Sequence, residues 1–243
     1  MRVWDLHPGY LSRQNLLGQH AEIHALYSVI TGGKKGYALH PETRRWQERP
    51  DLLRRAHDLT VMEMELRGFN HKSPCGQGAL PDLPKGWGQA LSYVDTPLEQ
   101  IVILEQKNRE KGRCGRIPLP KNGYEYWAHH KYSVMARGYN HYKDIQAYLR
   151  PIKSCSLQET GGLIAVIAVI MDKPVTYPAL TNVVDHLWGY LKREASGPER
   201  EPYLNRGPED LPSLVRYFYA LAVKYNRTYL MHSTIFADFT RPG

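Results

Sequence analysis

Residues 16–30 read LLGQHAEIHALYSVI, and their spacing decides the fold class. Leu16, His20, Ile23, Tyr27 and Ile30 recur at intervals of three and four, which places them along one stripe of an α-helix. Gly32 and Gly33 stop that helix, because glycine enters cap conformations at little steric cost. The same period returns along the chain. A second helix is predicted from Pro50-Asp51 to Arg67, with proline in the first turn and Gly68 as the stop. A third opens on Thr96-Pro97-Leu98-Glu99, a capping box with proline in the first turn. It continues through Ile101, Val102 and Leu104 and turns basic at Lys107, Arg109 and Lys111, charges that suit a helix C-terminus.

Two stretches rich in glycine and proline, 73–88 and 112–123, read as loops. The second is the expected domain boundary, dividing the chain into 1–120 and 121–243. Beyond it helices are predicted over 124–136, 139–149, 157–171, 178–195 and 212–225, with 197–208 a polar loop. Leu180, Val183, Val184, Leu187 and Leu191 form one stripe; Leu214, Val215, Phe218, Leu221 and Ala222 form another. No period-two pattern competes, so the expected fold class is all-α in both domains.

Lysine plus arginine number 32 against 24 aspartate plus glutamate, a net charge of +8 that attracts polyanions, nucleic acid foremost. Cys75, Cys114 and Cys155 are far apart and lack C-x2-C spacing, so neither a disulfide framework nor a zinc ribbon is indicated. The longest apolar run, 163–171, is far short of the ~20 residues of a membrane span. The opening residues carry no apolar signal core, and a soluble cytoplasmic protein without a membrane partner is expected.

The first two dozen residues carry the chemistry. An enzyme that removes a base through an imine needs an unprotonated amine. A lysine must be desolvated to supply one, whereas an α-amine with a pKa of about 8 is partly neutral near pH 7. A carboxylate must stand close by to stabilise a cationic sugar and move protons. Met1-Arg2-Val3-Trp4-Asp5-Leu6-His7-Pro8, Tyr10-Leu11, Leu16-Leu17 and Glu22 resemble the start of the pyrimidine-dimer DNA glycosylase family, the endonuclease V-like enzymes. Gly33-Lys34-Lys35-Gly36-Tyr37 with His40-Pro41, and Arg67-Gly68-Phe69-Asn70, resemble it as well. The resemblance covers about the first half of the chain.

It implies a bifunctional glycosylase and abasic-site lyase acting on double-stranded DNA, with no metal or organic cofactor. The implied nucleophile is the amine of Met1, retained because Arg2 is too bulky for usual methionine removal, and Glu22 is the implied catalytic carboxylate. Arg2 matches a substrate-contacting arginine. DNA contacts are expected from Lys34, Lys35, Arg44, Arg45, Lys107 and Lys111, which would supply salt-dependent phosphate binding. His20 is either a packing residue on the apolar stripe or a substrate contact, and Trp46 either a core aromatic or a base-stacking wedge. Two family arginines flanking the glutamate fall on Ala21 and Ala25, and a family histidine falls on Asn15; His20 and His24 are new neighbours. These departures leave the target open between a pyrimidine dimer, another bulky lesion and a modified base such as those of phage DNA. A non-catalytic nucleic-acid-binding module is the alternative from another class.

From about Tyr124 the chain resembles the YbgA-like helical domain: Lys131-Tyr132 through Arg137 and Asn140-His141-Tyr142 fit its opening, Leu180-Thr181-Asn182-Val183-Val184-Asp185-His186-Leu187-Trp188 its most recognisable helix, and Lys224-Tyr225-Asn226-Arg227 its ending. No catalytic residue is implied there. Asn182, His186 and Tyr190 share one helix face and read as a solvated polar face or a groove. His129-His130 reads as a surface pair without metal-ligand partners. The run Tyr124, Tyr126, Trp127, Lys131 reads as one amphipathic helix or a single-strand-binding surface.

Overall fold

The computed structural model describes residues 2–47, 49–76, 93–152 and 155–238, and these are all-α. The only β-pairing among them is an isolated bridge between Asn122 and Ser156. The chain divides into two compact units, one built on residues up to Leu119 and one from Pro120 onward. Most of the predicted 73–88 loop lies outside the described residues.

In the first unit the decisive stretch forms α1 (Arg13–Thr31). Ser12 caps it, its hydroxyl accepting the Asn15 N–H at 3.3 Å, and Gly32 closes it. Leu16, Gln19, Ile23 and Leu26 are buried along one face, which packs on α3 (Pro50–Leu66). Between them lies a short helix that the periodicity did not announce, α2 (Pro41–Trp46), capped by the His40 side chain. At six residues it is too short to repeat a stripe. The predicted capping box opens α4 (Pro97–Lys111), and Gly112 at φ +59° closes it in the left-handed conformation.

Ion pairs fasten the ends of this unit. Glu63 on α3 is wholly buried and accepts from Arg67 at 2.7 Å and from both ends of the Arg116 guanidinium at 2.8–2.9 Å. Arg67 also donates to the carbonyls of Pro8, Gly9 and Leu11, holding the N-terminal turn on α3. Residues beyond α4 come back to that turn, where Ile117 N–H donates to the Gly9 carbonyl at 2.9 Å. Gly115 permits the approach, since a Cβ there would stand 2.5 Å from the Gly9 and Tyr10 carbonyl oxygens.

The second unit is built around α5 (Gly123–Arg137), which contacts α6 (Tyr139–Leu149), α7 (Gly161–Met171), α8 (Tyr177–Leu191) and a 3-10 turn at Thr234–Ala237. Surrounded in this way, α5 buries both His129 and His130, a correction to their expected surface position. His130 stacks on Tyr126 with ring centroids 4.2 Å apart. Tyr126 and Trp127 are also buried, so the aromatic run is core rather than a stacking surface. Arg137 ends the helix inside the unit: it pairs with buried Asp238 at 2.5 and 2.7 Å and donates to the Ser133, Met171 and Lys173 carbonyls. The two predicted stripes lie buried on α8 and, after α9 (Gly197–Leu204), on α10 (Leu211–Lys224), before α11 (Thr228–Met231).

The predicted helix over 157–171 is regular only from Gly161; residues 157–160 form a turn that opens on reciprocal bonds between Ser156 and Glu159. The predicted polar loop over 197–208 is largely α9. A Ser196/Glu199 capping box nucleates it, but it buries no residue, so no apolar stripe marks it. Glu199 also accepts from Lys224 and Tyr225 at 2.6 Å, and these donors hold its carboxyl well below the usual range. No helix among the described residues is long and apolar enough to cross a membrane.

Candidate active site

The described chain begins on the flank of α1. The Trp4 N–H donates to Gln19 Oε1 at 2.9 Å, and Gln19 Nε2 donates in turn to Thr60 on α3 at 2.9 Å. Val3 shares a buried cluster with Ile23, Leu26, Trp46 and Leu53. The N-terminal segment is therefore pinned to α1 within one turn of Glu22, which is half-buried. Met1, the expected nucleophile, lies outside the described residues.

A polar network holds the segment from its other side. Asp5 accepts from Arg45 and, at 2.7 Å, from Gln100 Nε2, while the Asp5 N–H donates to Gln100 Oε1 at 2.8 Å. Glu42 accepts from Trp46 Nε1 at 3.0 Å and lies 3.5 Å from Arg45. Burial raises the Asp5 and Glu42 carboxyls above their ordinary range, against the opposing pull of Arg45. Arg2 pairs with Asp95 and stands 5.0 Å from the Trp4 ring centroid, where Lys107 also lies at 5.3 Å.

The expected DNA contacts separate into two groups. Lys34, Lys35, Arg44, Lys107 and Lys111 are exposed, with Lys34 bonded to Ser28 at 2.6 Å. Arg45 is a correction: its side chain is 3% exposed and is held by Asp5, Glu42 and the Trp46 ring. Adjacent arginines on one turn face about 100° apart, so Arg44 meets solvent and Arg45 the interior. Trp46 is 3% exposed, a core aromatic rather than a wedge.

The other flank of α1 carries a group that spacing along the chain did not reveal. His20 and His24 lie one turn apart, and their Nε2 atoms approach to 3.3 Å. His57 of α3 and His71, beyond the end of α3, complete the group, with ligand atoms of all four within 4.8 Å of one another. Burial, reinforced by the neighbouring imidazoles, lowers the pKa of His20 to about 4 and also lowers that of His24. At 3.6 residues per turn, Glu22 faces about 160° from both α1 histidines. His20 thus joins the histidine group rather than the face that carries Glu22. The legible signal was the i, i+4 pair His20/His24; the other two ligand-type side chains come from separate elements.

In the second unit Asn182, His186 and Tyr190 are exposed along α8, a solvated polar face. Lys131 lies 4.6 and 4.9 Å from the ring centroids of Tyr132 and Tyr229, and its burial lowers its pKa. The three cysteines are free thiols, Cys75 and Cys155 buried and Cys114 exposed.

No curated protein and no solved structure matches the chain. Two families match parts of it, in the two halves where the resemblances were read. Residues 131–240 match a protein family of unknown function, DUF1722, and residues 1–77, which contain the pinned N-terminal segment, α1 and all four clustered histidines, match the family described as pyrimidine dimer DNA glycosylase.

Proposed function

We propose that the first unit is a DNA glycosylase with abasic-site lyase activity that excises a pyrimidine dimer or another bulky base from duplex DNA. The observation that carries this reading is the anchoring of residues 3 and 4 on α1, through the Trp4–Gln19 bond and the Val3 cluster, beside Glu22. Backbone held at residues 3 and 4 loses little further freedom there on meeting a substrate. The family match over residues 1–77 supports the same chemistry.

In this mechanism the neutral amine of Met1 attacks C1′ of the damaged nucleotide and the base leaves with the bonding electron pair. Loss of a proton from the nitrogen and opening of the sugar give an imine. Removal of a C2′ proton then expels the 3′ phosphate by β-elimination, and water releases the product aldehyde and the amine. Glu22 stabilises the developing positive charge on the sugar and moves the protons. Exposed Lys34, Lys35, Arg44, Lys107 and Lys111 hold the phosphates.

Borohydride trapping on abasic-site duplex DNA tests the reading. A covalent adduct that maps to the N-terminal peptide is the expected result; absence of an adduct while DNA binding persists would leave a binding module. Ala21 and Ala25 are exposed on either side of Glu22, which favours a second target class, a base enlarged by modification. Parallel assays on dimer-containing and hypermodified duplexes separate the two.

A further inference from the structure

We propose that His20, His24, His57 and His71 form a binding site for one divalent transition-metal ion of the zinc class, clamping α1, α3 and the segment beyond α3 together. No metal is expected from cysteine spacing or from the glycosylase chemistry, so the inference stands on this flank of α1 alone. It is independent of the glycosylase reading, because Glu22 faces the other way.

The geometry approaches a closed shell, with one ligand atom from each histidine within 4.8 Å of the others. A tetrahedral zinc with Zn–N bonds of about 2.05 Å sets its ligand nitrogens roughly 3.3 Å apart. His20 Nε2 and His24 Nε2 already stand at 3.3 Å, on the i, i+4 spacing that lets one helix face supply two imidazole ligands. The four rings crowd together with centroid separations of 4.6–5.3 Å, edge to face except for the tilted His20–His57 pair. Metal ligation requires neutral imidazole with a free lone pair.

His57 supplies the second, separate observation. It is 2% exposed, and its Nε2 is buried with no hydrogen-bond partner among the described residues. Its Nδ1 lies 3.0 Å from Asp58 Oδ1, a carboxylate that fixes the proton on Nδ1 and leaves the lone pair on Nε2. A buried lone pair without a donor is costly unless something accepts it. His71 is fixed similarly, one ring nitrogen donating to the Ser73 carbonyl at 2.7 Å and the other left with its lone pair. Four neutral nitrogens suit zinc, copper, nickel or cobalt rather than calcium or magnesium, which take oxygen. Four protein ligands close a tetrahedral shell, so the ion serves as a clamp and not as a water activator.

The test uses the full chain without a histidine tag, stripped with chelator and titrated with Co²⁺. About one equivalent should bind with the intense visible bands of tetrahedral cobalt, be displaced by Zn²⁺, and raise the thermal midpoint by on the order of 10 °C. His57→Gln should abolish the bands. Asp58→Asn, which keeps all four ligands, should weaken binding by roughly 10–100-fold. Should His57→Gln fail to fold, as judged by circular dichroism, half-buried His71→Gln and Asp58→Asn decide the matter. Less than stoichiometric binding by the wild-type chain overturns the proposal, and so does binding undiminished in the folded variants.

Discussion

The two units bury different chemistry. The second surrounds α5 with α6, α7 and α8 and backs α8 with the apolar stripe of α10, and its internal charge is concentrated in the Arg137–Asp238 pair. The first, of nearly the same length, takes in Asp5, Glu42, Arg45, Glu63 and Arg116, and sets four imidazoles together on one flank of α1. Buried charge is costly even when paired, and an apolar replacement of similar volume often does as well for stability. Internal polarity of this kind is what a fold carries where it positions groups for chemistry, and that is the hypothesis the variants below test. The contrast assigns positioned chemistry to the first unit and packing to the second, and it can be broken experimentally.

The largest effect belongs to Glu22. Glu22→Gln should lower base excision by about 10²–10⁴-fold, the range for a positioned acid–base group, measured as single-turnover release on a defined lesion. Cobalt binding at the histidine group should be unchanged in the same variant, because that group lies across the helix. Loss of both together would mean that α1 had been disturbed and would erase the distinction between its flanks.

Next come the buried ion pairs. Arg137→Met leaves Asp238 buried without its partner and should cost about 3–5 kcal/mol in urea unfolding. Arg137→Met combined with Asp238→Leu should recover part of the loss, because no charge is then buried unpaired while the bonds from Arg137 to the Met171 and Lys173 carbonyls stay lost. Arg45→Met should be destabilising on a similar scale, for it strands Asp5 and Glu42. Its double variant with Asp5→Leu should regain stability but not excision, because Asp5 holds the N-terminal segment through Gln100. Recovery of activity in that double variant would refute a positioning role for the network.

These outcomes bear on what the sequence could reveal. Helices that bury a stripe, such as α1, α8 and α10, announce themselves through spacing, α3 through the proline at its start and the glycine at its end, and α4 through the Thr96/Glu99 cap. Helix α2 is too short to repeat a period, and α9 buries nothing, so neither has an apolar signature. Arg44 and Arg45 are chemically identical along the chain; only the turn of α2 sends one outward and one inward. The histidine group was hidden for a related reason. Its members span residues 20 to 71, and packing of α1 on α3 is what makes them neighbours. His129 and His130 were misplaced because their burial depends on α6, α7 and α8 closing around α5.

A smaller effect is read by pH, where His130 of the second unit adds to the like contribution of His20 in the first. Burial holds the His130 pKa down to about 4, so the folded state keeps this ring neutral where the unfolded chain, near 6.5, would protonate it. Stability from this residue is therefore complete above about pH 6.5 and is lost as pH falls toward 4, at no more than about 1.4 kcal/mol per unit. His130→Gln should flatten that slope when unfolding of the full chain is followed through this window. An unchanged slope would show that the acid sensitivity resides elsewhere.

The smallest effect concerns where DNA is held. If phosphate binding belongs to the first unit, Lys35→Ala and Lys111→Ala should each reduce the magnitude of the slope of log K against log salt by about 0.9. Neither should shift the thermal midpoint, because both side chains are exposed. Lys192 and Arg193 are equally exposed at the end of α8 in the second unit and make the matched control. Neutralising them should leave the slope as it was. A drop there equal to that at Lys35 would extend the polyanion surface into the second unit, whose apolar interior would then underlie a recognition surface of its own.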